Sequence, residues 1–228
     1  MIHKREFLHA LKVSIPVMMG YMVLGFAFGV LAISVGLSWY IAFFMSIFIY
    51  AGALQFIAIG FLSSKMGLID IFISSFFINI RQSFYGLSVL KKFKKTGWLK
   101  PYLIFGLTDE TYGLLTTVKE NEQLKQKYYY FYLALLNQSY WVMGTLLGTI
   151  FANLVTFNSQ GLEFSLTALF VVLAIEQYKQ KRSFTPFVIG AICSILAMFL
   201  VPVNNMLIVA IICSLIAMFI FKKQFKEV

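Results

Sequence analysis

The stretch VSIPVMMGYMVLGFAFGVLAISVGLSWYIAFFMSIFIYAGALQFIAIGFLSS, residues 13–64, contains 52 consecutive positions without a charged side chain. As one helix it would be about 78 Å long. The hydrocarbon core of a bilayer is about 30 Å thick, and roughly 20 helical residues cross it. The stretch therefore predicts at least two membrane crossings. No polar mature sequence follows it as it would follow a signal peptide, so we expect residues 1–12 to form a retained cytoplasmic tail.

The composition agrees with a membrane protein. Of the 228 residues, 60% are hydrophobic and 12% are charged, whereas soluble domains carry about 25% charged residues. This excludes an ordinary soluble domain, and the high hydrophobicity excludes disorder. The net charge is +10, but the basic residues cluster between apolar segments. That pattern is typical of a protein embedded in a lipid bilayer and gives no indication of nucleic-acid binding.

Eight apolar segments predict an all-α integral membrane protein, a helical bundle with six to eight crossings. They are 13–35, 39–62, 68–90, 102–118, one within 128–155, 162–175, 184–201 and 206–221. The sixth has only 14 residues, which is short for a span. No polar or low-complexity stretch separates the segments, so we expect one polytopic domain over residues 1–228.

The basic residues between the segments predict the topology. If all eight segments cross and the N-terminus is cytoplasmic, thirteen basic residues lie inside and five lie outside, all five in KKFKKTGWLK at 91–100. This arrangement violates the positive-inside tendency at the densest cluster. If segments three and four instead re-enter on the same side, all eighteen lie inside. Both arrangements place the N- and C-termini in the cytoplasm, and both stay open at this point.

Charges within the apolar segments mark the candidate site. Arg81 lies ten residues before Lys91, about 15 Å along a helix, and Asp109 lies nine residues after Lys100, about 13 Å. If segments three and four run antiparallel, the two side chains reach similar depths. An unpaired charge there costs at least about 3 kcal/mol. We expect Arg81 to pair with Asp109 or Glu110, with a substrate carboxylate, or with both. A purely structural ion pair is the alternative.

Further polar and small residues are weaker candidates. Asn79 and Arg81 point about 200° apart on a continuous helix, so they can share a site only if the helix breaks near them. Gln55, with Gly52 one turn earlier, can bind a neighbouring helix or a substrate. Gly25 belongs to GYMVLGFAFG, which is similar to YWVMGTLLGT at 140–149 and hints at an internal repeat. Close helix packing is the alternative explanation for such glycines.

The histidines and cysteines do not predict a metal centre or an enzyme. His3 and His9 lie in the N-terminal tail, while Cys193 and Cys213 lie twenty residues apart in apolar segments. No group of them has metal-ligand spacing. No nucleophile–base constellation is present either. We therefore expect neither a cofactor nor catalysis.

Five blocks in order, GYMVLGFAFGVLA, YAGALQFIAIG, NIRQSFYGLSV, LTDETYGL and YWVMGTLLG, resemble the AzlC/YgaZ family. This family is the large subunit of a two-component branched-chain amino acid exporter. The resemblance runs from about residue 16 to residue 148. It implies a multi-pass permease of the bacterial inner membrane that exports hydrophobic amino acids such as valine. It also implies a partner, a small hydrophobic subunit similar to AzlD/YgaH.

Two departures from the family pattern affect the predicted mechanism. Family members often have Asn-x-Arg-His, whereas Gln82 stands in the His position here, and Leu54 replaces a small polar residue. Without a membrane histidine, proton-coupled export would require Asp109 or Glu110 to carry the proton. A channel or carrier for another small solute, or a non-transporting assembly subunit, remains an alternative to amino-acid export.

Overall fold

The computed structural model describes residues 3–63, 67–117, 123–154, 184–201 and 203–220, with the single positions 171, 175 and 178. Within these ranges all regular structure is helical, in agreement with the predicted class. Contacts divide the chain into two compact units, Met1–Ile59 with Asn79–Ser159 and Gly60–Ile78 with Gln160–Val228. The single domain stays a prediction.

Nine helices and one 3-10 turn make up the described ranges. They are α1 (Lys4–Ser34), α2 (Trp39–Phe48), α3 (Gly52–Ser63), α4 (Leu68–Phe93), the 3-10 turn Gly97–Leu99, α5 (Lys100–Phe105), α6 (Asp109–Thr117), α7 (Gln126–Leu154), α8 (Thr185–Leu200) and α9 (Val203–Ile220). Among the helices of the described ranges, only α1 is both long enough and apolar enough to cross a membrane. The number of crossings therefore stays a prediction.

Of the predicted segments, some match one helix each, one lies almost entirely outside the described residues, and two are broken. Segments seven and eight correspond to α8 and α9, which pack against each other in the second unit. Segment six, 162–175, lies outside the described residues except for positions 171 and 175. Segments two and four differ from the prediction, because each is broken into two shorter helices.

The long helices α1 and α7 of the first unit lie side by side and run in the same direction. Near their N-terminal ends the rings of His9 and Tyr129 are 5.2 Å apart. Near their C-terminal ends the rings of Phe26 and Phe151 are 5.4 Å apart. Parallel neighbours start from the same side, so the chain between α1 and α7 must return to the end where α1 begins.

Glycines bring α1 and α7 into backbone contact. A Cβ atom on Gly25 would lie 2.6 Å from the carbonyl oxygen of Trp141, and one on Gly144 would lie 2.7 Å from that of Met22. Both distances are too short for a real Cβ contact, so only glycine fits. The two stretches that hinted at an internal repeat are thus the two faces of one small-residue interface. The same close approach recurs one turn further along, at Gly29 and Gly148.

Segment two folds back on itself as a hairpin of α2 and α3. The Gln55 Nε2 donates to Ser46 Oγ over 3.2 Å, although nine residues in one helix would separate them by about 13 Å. The chain reverses at Tyr50, whose φ of +41° is in the left-handed region. Bulky residues rarely adopt that conformation, so no turn could be predicted there from the residue type.

Segment four also folds back, as a hairpin of α5 and α6. Arg81 contacts Asp109 at the start of α6. The Lys92 Nζ donates to the carbonyl oxygen of Leu115 over 2.7 Å, near the ends of α4 and α6. These contacts show that α4 and α6 run in the same direction. Helix α5 therefore leads from the end of α4 to a tip at residues 106–108, and α6 returns.

One end of this unit brings together the start of α1, the lysine-rich loop 91–100 and the start of α7. Ala10, Phe93, Leu99 and Tyr130 belong to one buried cluster, and the rings of Phe93 and Tyr130 are 6.0 Å apart. The loop with the densest positive charge thus lies at the same end as the N-terminal tail, as the positive-inside tendency requires.

This arrangement bears on the two topologies that the sequence left open. The structure shows segment four broken into the hairpin of α5 and α6, as a re-entrant segment would be, but segment three forms one continuous helix. Which segments cross the membrane stays a prediction. Helix α4 continues unbroken from Leu68 to Phe93, about 39 Å and long enough to span. Segment two is the second hairpin instead. The two hairpins enter the unit from opposite ends.

Cysteine labelling tests this topology. After Cys193 and Cys213 are replaced, a cysteine at Lys94 should react with an impermeant reagent from the side on which the N-terminus lies. A cysteine at Val35, at the far end of α1, is the control and should react only from the opposite side. Labelling of both positions from one side would contradict the hairpin of α5 and α6.

Candidate functional site

The tips of the two hairpins meet beside the middle of α1. Tyr50, at the first tip, packs edge-on against Tyr21 of α1 with 6.5 Å between ring centroids. Its ring lies 6.2 Å from that of Phe105, next to the second tip. The Tyr21 hydroxyl lies 2.7 Å from Thr108 Oγ1 on that tip. Secondary transporters commonly place substrate and ion sites at such breaks in membrane helices.

An ion pair lies at this meeting point. Nη1 of Arg81, on α4, is 2.7 Å from Oδ2 of Asp109, the first residue of α6. The pairing expected from their distances to the lysine loop is therefore confirmed. The two side chains are 40% and 28% exposed, so the pair borders an accessible space and is not sealed within the core.

The pair uses only part of its hydrogen-bonding capacity. Arg81 Nε and Asp109 Oδ1 are both buried and have no hydrogen-bond partner. A guanidinium can hold a carboxylate with two parallel hydrogen bonds, yet one contact joins these two groups. One donor and one acceptor of opposite charge thus remain without a hydrogen bond within the pair.

Two tyrosines flank the pair. Tyr85 is one turn after Arg81 on α4, and Tyr112 is one turn after Asp109 on α6. Their rings stack at 4.5 Å with 14° between the planes. The Tyr112 hydroxyl is 3.2 Å from Ser88 Oγ. The stack holds α4 and α6 in register and places aromatic surface next to the charges.

Glu110 is not part of the ion pair and instead joins a polar chain. Its Oε2 accepts a 2.6 Å hydrogen bond from Tyr21. Beyond Tyr21, Thr108 Oγ1 is 3.0 Å from Thr111 Oγ1, to which Asn137 Nδ2 donates over 3.0 Å. Adjacent carboxylates, at 109 and 110, therefore lie in different surroundings.

Gln55 is fully buried and bonded at both ends of its amide. Trp141 Nε1 donates to its Oε1 over 2.9 Å, and its Nε2 donates to Ser46. Ser46 Oγ is in turn 2.9 Å from Thr145 Oγ1. Of the two alternatives for Gln55, the structure shows the bond to neighbouring helices, which fixes the first hairpin against α7. Contact with substrate stays a prediction.

The two candidate glycines serve close packing. A Cβ atom on Gly52 would lie 2.9 Å from Cη2 of Trp141, so Gly52 makes room for that ring. Gly25 lies against the α7 backbone, as described above. The role of Gly25 and Gly52 in substrate binding stays a prediction.

Asn79 requires a correction. It could share a site with Arg81 only if the helix broke between or near them. Helix α4 runs through both positions without a break, so the side chains diverge by about 200°. Asn79 does not belong with the ion pair.

Several residues of the meeting point were not identified from the sequence. They are Tyr21, Tyr50, Thr108, Thr111, Asn137 and Trp141. A signal was present only for the second tip, where Thr108 precedes Asp109 and Glu110. A threonine followed by acidic residues is typical of a helix start, and the Thr111 N–H donates to Thr108 Oγ1 over 3.3 Å.

The site offers carboxylates, hydroxyls and one guanidinium. Among the described residues no three His, Cys, Asp or Glu side chains are close enough to hold a metal ion. The chemistry available at the hairpin tips is therefore charge pairing, hydrogen bonding and proton exchange, which suits recognition of a small polar or zwitterionic solute.

Known proteins resemble this chain along most of its length. Residues 16–155 match the family described as AzlC protein. The chain is 39% identical over 225 residues to an uncharacterized membrane protein of Helicobacter pylori, covering 97% of this chain and 99% of that one.

Two named relatives are more distant. The branched-chain amino acid transport protein AzlC of Bacillus subtilis is 33% identical over 221 residues, covering 97% of this chain and 87% of the relative. The inner membrane protein YgaZ of Escherichia coli is 29% identical over 212 residues, covering 86% and 84%. No solved structure matches the chain.

Proposed function

Because this chain belongs to the AzlC family of membrane transport proteins, we propose that it is a secondary transporter that exports branched-chain amino acids such as valine. A transport role, and not an enzymatic one, follows from the family. The substrate class is supported by the name of the Bacillus subtilis relative. The outward direction is supported by the resemblance to the two-component exporters.

One observation supports this proposal most strongly: the incomplete pair of Arg81 and Asp109 at the hairpin tips. An amino acid is a zwitterion, with a carboxylate and an ammonium separated by one carbon. Its carboxylate can accept from the guanidinium of Arg81, and its ammonium can donate to the carboxylate of Asp109, at the exposed side of the pair. The buried Nε and Oδ1 become available as the pair opens to admit the substrate. The substrate then enters an existing pair, and neither protein charge is left alone in the membrane.

The flanking tyrosines supply a place for the apolar side chain of the substrate. The stacked rings of Tyr85 and Tyr112 begin one turn from the charged pair. Aromatic faces bury branched aliphatic groups well. The proposed site therefore holds the zwitterion at Arg81 and Asp109 and the side chain against the two rings.

The proposal places the chain in the bacterial inner membrane with both termini in the cytoplasm. The lysine loop and the N-terminal tail lie at one end of the first unit, and this clustering of positive charge favours the cytoplasmic side. Cytoplasmic substrate would then reach the pair from the side on which the hairpin of α5 and α6 enters.

We also propose that the chain works with a small hydrophobic membrane subunit similar to AzlD/YgaH. Helix α8 has one buried residue, Ala197. Its large apolar side chains are exposed on several sides, including Ile192, Leu196 and Phe199. Lipid can cover part of this surface, and a helical partner would cover the rest.

Expression in a valine-sensitive bacterial strain tests function and partner together. The chain with its small subunit should raise the valine concentration that the cells tolerate, and the chain alone should raise it less, because the transporter is incomplete. Intracellular valine, measured in parallel, should fall. Equal tolerance with and without the subunit would contradict an obligate partner. No change in either case would contradict valine export.

A further inference from the structure

The polar chain beside the ion pair has a defined direction. A carboxylate only accepts hydrogen bonds, and a phenol has one proton to donate. Glu110 therefore receives the proton of Tyr21, and Tyr21 must receive that of Thr108, 2.7 Å away. Thr108 in turn receives from Thr111. The chain ends at Asn137, whose amide donates to Thr111.

One atom of Asn137 is left without a hydrogen bond when the polar chain has this direction. Its side chain is fully buried, and its Oδ1 has no hydrogen-bond partner. Buried acceptors without a partner are uncommon and costly, so each calls for an explanation. A second arrangement of the same chain would use this oxygen.

That second arrangement exists when Glu110 binds a proton. The new O–H of Glu110 donates to Tyr21, and Tyr21 donates to Thr108. Thr108 donates to Thr111, whose proton then needs an acceptor. Half a turn of the Asn137 amide presents Oδ1 to Thr111 and moves Nδ2 to the place that Oδ1 left. One end of the amide is thus without a partner in either arrangement. Every hydroxyl again has a donor and an acceptor. All hydrogen bonds of the polar chain now point in the opposite direction.

We infer that Glu110, and not Asp109, gains and releases the coupling proton, and that the hydroxyl chain from Tyr21 to Asn137 reverses with it. The inference rests on the proposed transport function. The proton comes from water on one side of the membrane, forms one O–H bond on Glu110, and returns to water on the other side. No other bond is made or broken.

Asp109 and Glu110 have different surroundings, and the difference agrees with proton binding at Glu110. Asp109 is compensated by Arg81, so its charge is balanced without a proton and is available to a substrate ammonium. Within the described ranges Glu110 forms no ion pair. The charged and titratable groups near it are Arg81, Asp109, Tyr21 and Tyr50, and α7 contributes the neutral amide of Asn137.

Reversal of the polar chain links proton binding at Glu110 to the contacts between three helices. Tyr21 is on α1, Thr108 and Thr111 are at the start of α6, and Asn137 is on α7. When the direction changes, donors become acceptors at the contacts between these three helices. Proton binding at Glu110 therefore changes the direction of the hydrogen bonds that join α6 to α1 and α7, beside the pair that holds the substrate.

Infrared difference spectroscopy of the purified full-length chain tests proton binding without any transport assay. Lowering the pH should produce the C=O band of a protonated carboxyl group. The nine Asp and Glu side chains all contribute to this band, so the measured signal is the component that is missing in Glu110→Gln and retained in Asp109→Asn. It should form at a different pH in Thr111→Val, which breaks the chain, and at the original pH in Thr111→Ser, which keeps the hydroxyl. A band lost in Asp109→Asn and retained in Glu110→Gln would overturn the inference.

Transport in vesicles separates this inference from the proposed function. The measured quantity is the ratio of valine flux with and without an imposed pH gradient. Wild type should show a ratio well above one, and Glu110→Gln should bring it to about one, because no proton is linked to the step. A Glu110→Gln variant with the wild-type ratio overturns the inference alone. Wild-type protein without valine flux overturns the proposed function, while the infrared band still tests the proton site.

Discussion

The double variant Gly29→Ala, Gly148→Ala is expected to yield little folded protein. A Cβ atom at Gly29 would meet the carbonyl oxygen of Thr145, and one at Gly148 would meet that of Phe26. The backbone cannot move aside as a flexible side chain would, so α1 and α7 must separate. Overpacking of this kind costs about 1–3 kcal/mol at each position, a large part of the stability of an ordinary domain.

Gly20→Ala is the matched control for this double variant. It lies on the same helix α1, but nothing is within 4 Å of its Cβ position, so the methyl group meets no neighbour. Thermal unfolding in detergent, followed by the fraction of monodisperse protein, is the measurement. If the double variant and the control unfold at the same temperature, the backbone contact between α1 and α7 is not what holds the first unit together.

Arg81→Lys is expected to reduce valine transport by about 10- to 100-fold, the effect of losing one hydrogen bond to a charged group. Lysine keeps the positive charge and can still pair with Asp109, so insertion and folding should be retained. It lacks the planar fork, however, so it cannot present donors in the fixed directions in which the guanidinium reaches Asp109 and a substrate carboxylate. The flux of labelled valine from vesicles with matched protein content gives the rate.

The control for this prediction is Arg5→Lys. Arg5 is exposed on the N-terminal part of α1, and the same change of side chain there should leave the flux unchanged. If Arg81→Lys transports at the wild-type rate, the guanidinium geometry is not used, and the unpaired Nε of Arg81 has no role in binding.

The ion pair could be predicted from the sequence, although its structural setting could not. Arg81 and Asp109 are similar distances from the lysine loop, and an isolated charge in a membrane is costly. These two facts suffice to predict the pair. The prediction assumed two antiparallel helices, whereas Asp109 reaches Arg81 from the tip of a hairpin. The distance argument worked because α5 and the turn after it cover nearly the same depth as a continuous helix.

The first hairpin was missed because a long uncharged segment hides a reversal. Residues 39–62 carry no charge, and Tyr50 has no preference for the left-handed conformation it adopts. What stabilises the reversal is distant in sequence: Trp141 donates to Gln55, and Gln138 donates to the carbonyl oxygen of Ile47 over 3.0 Å. Contacts across about ninety residues leave no mark on a local pattern. For the second hairpin the basic residues at 91–100 left re-entry of segment four open, and Thr108 was a further local signal for the turn before α6.

The hydroxyl chain was equally hidden. Tyr21, Thr111 and Asn137 are ordinary residues in apolar helices, and each has a plausible role in helix packing. Their importance depends on the hairpin tip that brings Glu110 among them. The sequence supplied both carboxylates as candidates for proton coupling and offered no means to distinguish them. The structure separates them by their partners, Arg81 for one and Tyr21 for the other.

The measurement that tests the central claim most directly is valine flux by the double variant Arg81→Leu, Asp109→Leu in vesicles. The variant removes both charges together, so no lone charge remains in the membrane and the protein should insert and fold, as checked by its unfolding temperature. If the pair binds the two charged groups of the substrate, flux should fall to that of protein-free vesicles. Flux at the wild-type rate would show that the pair only joins α4 to α6 and would contradict the account.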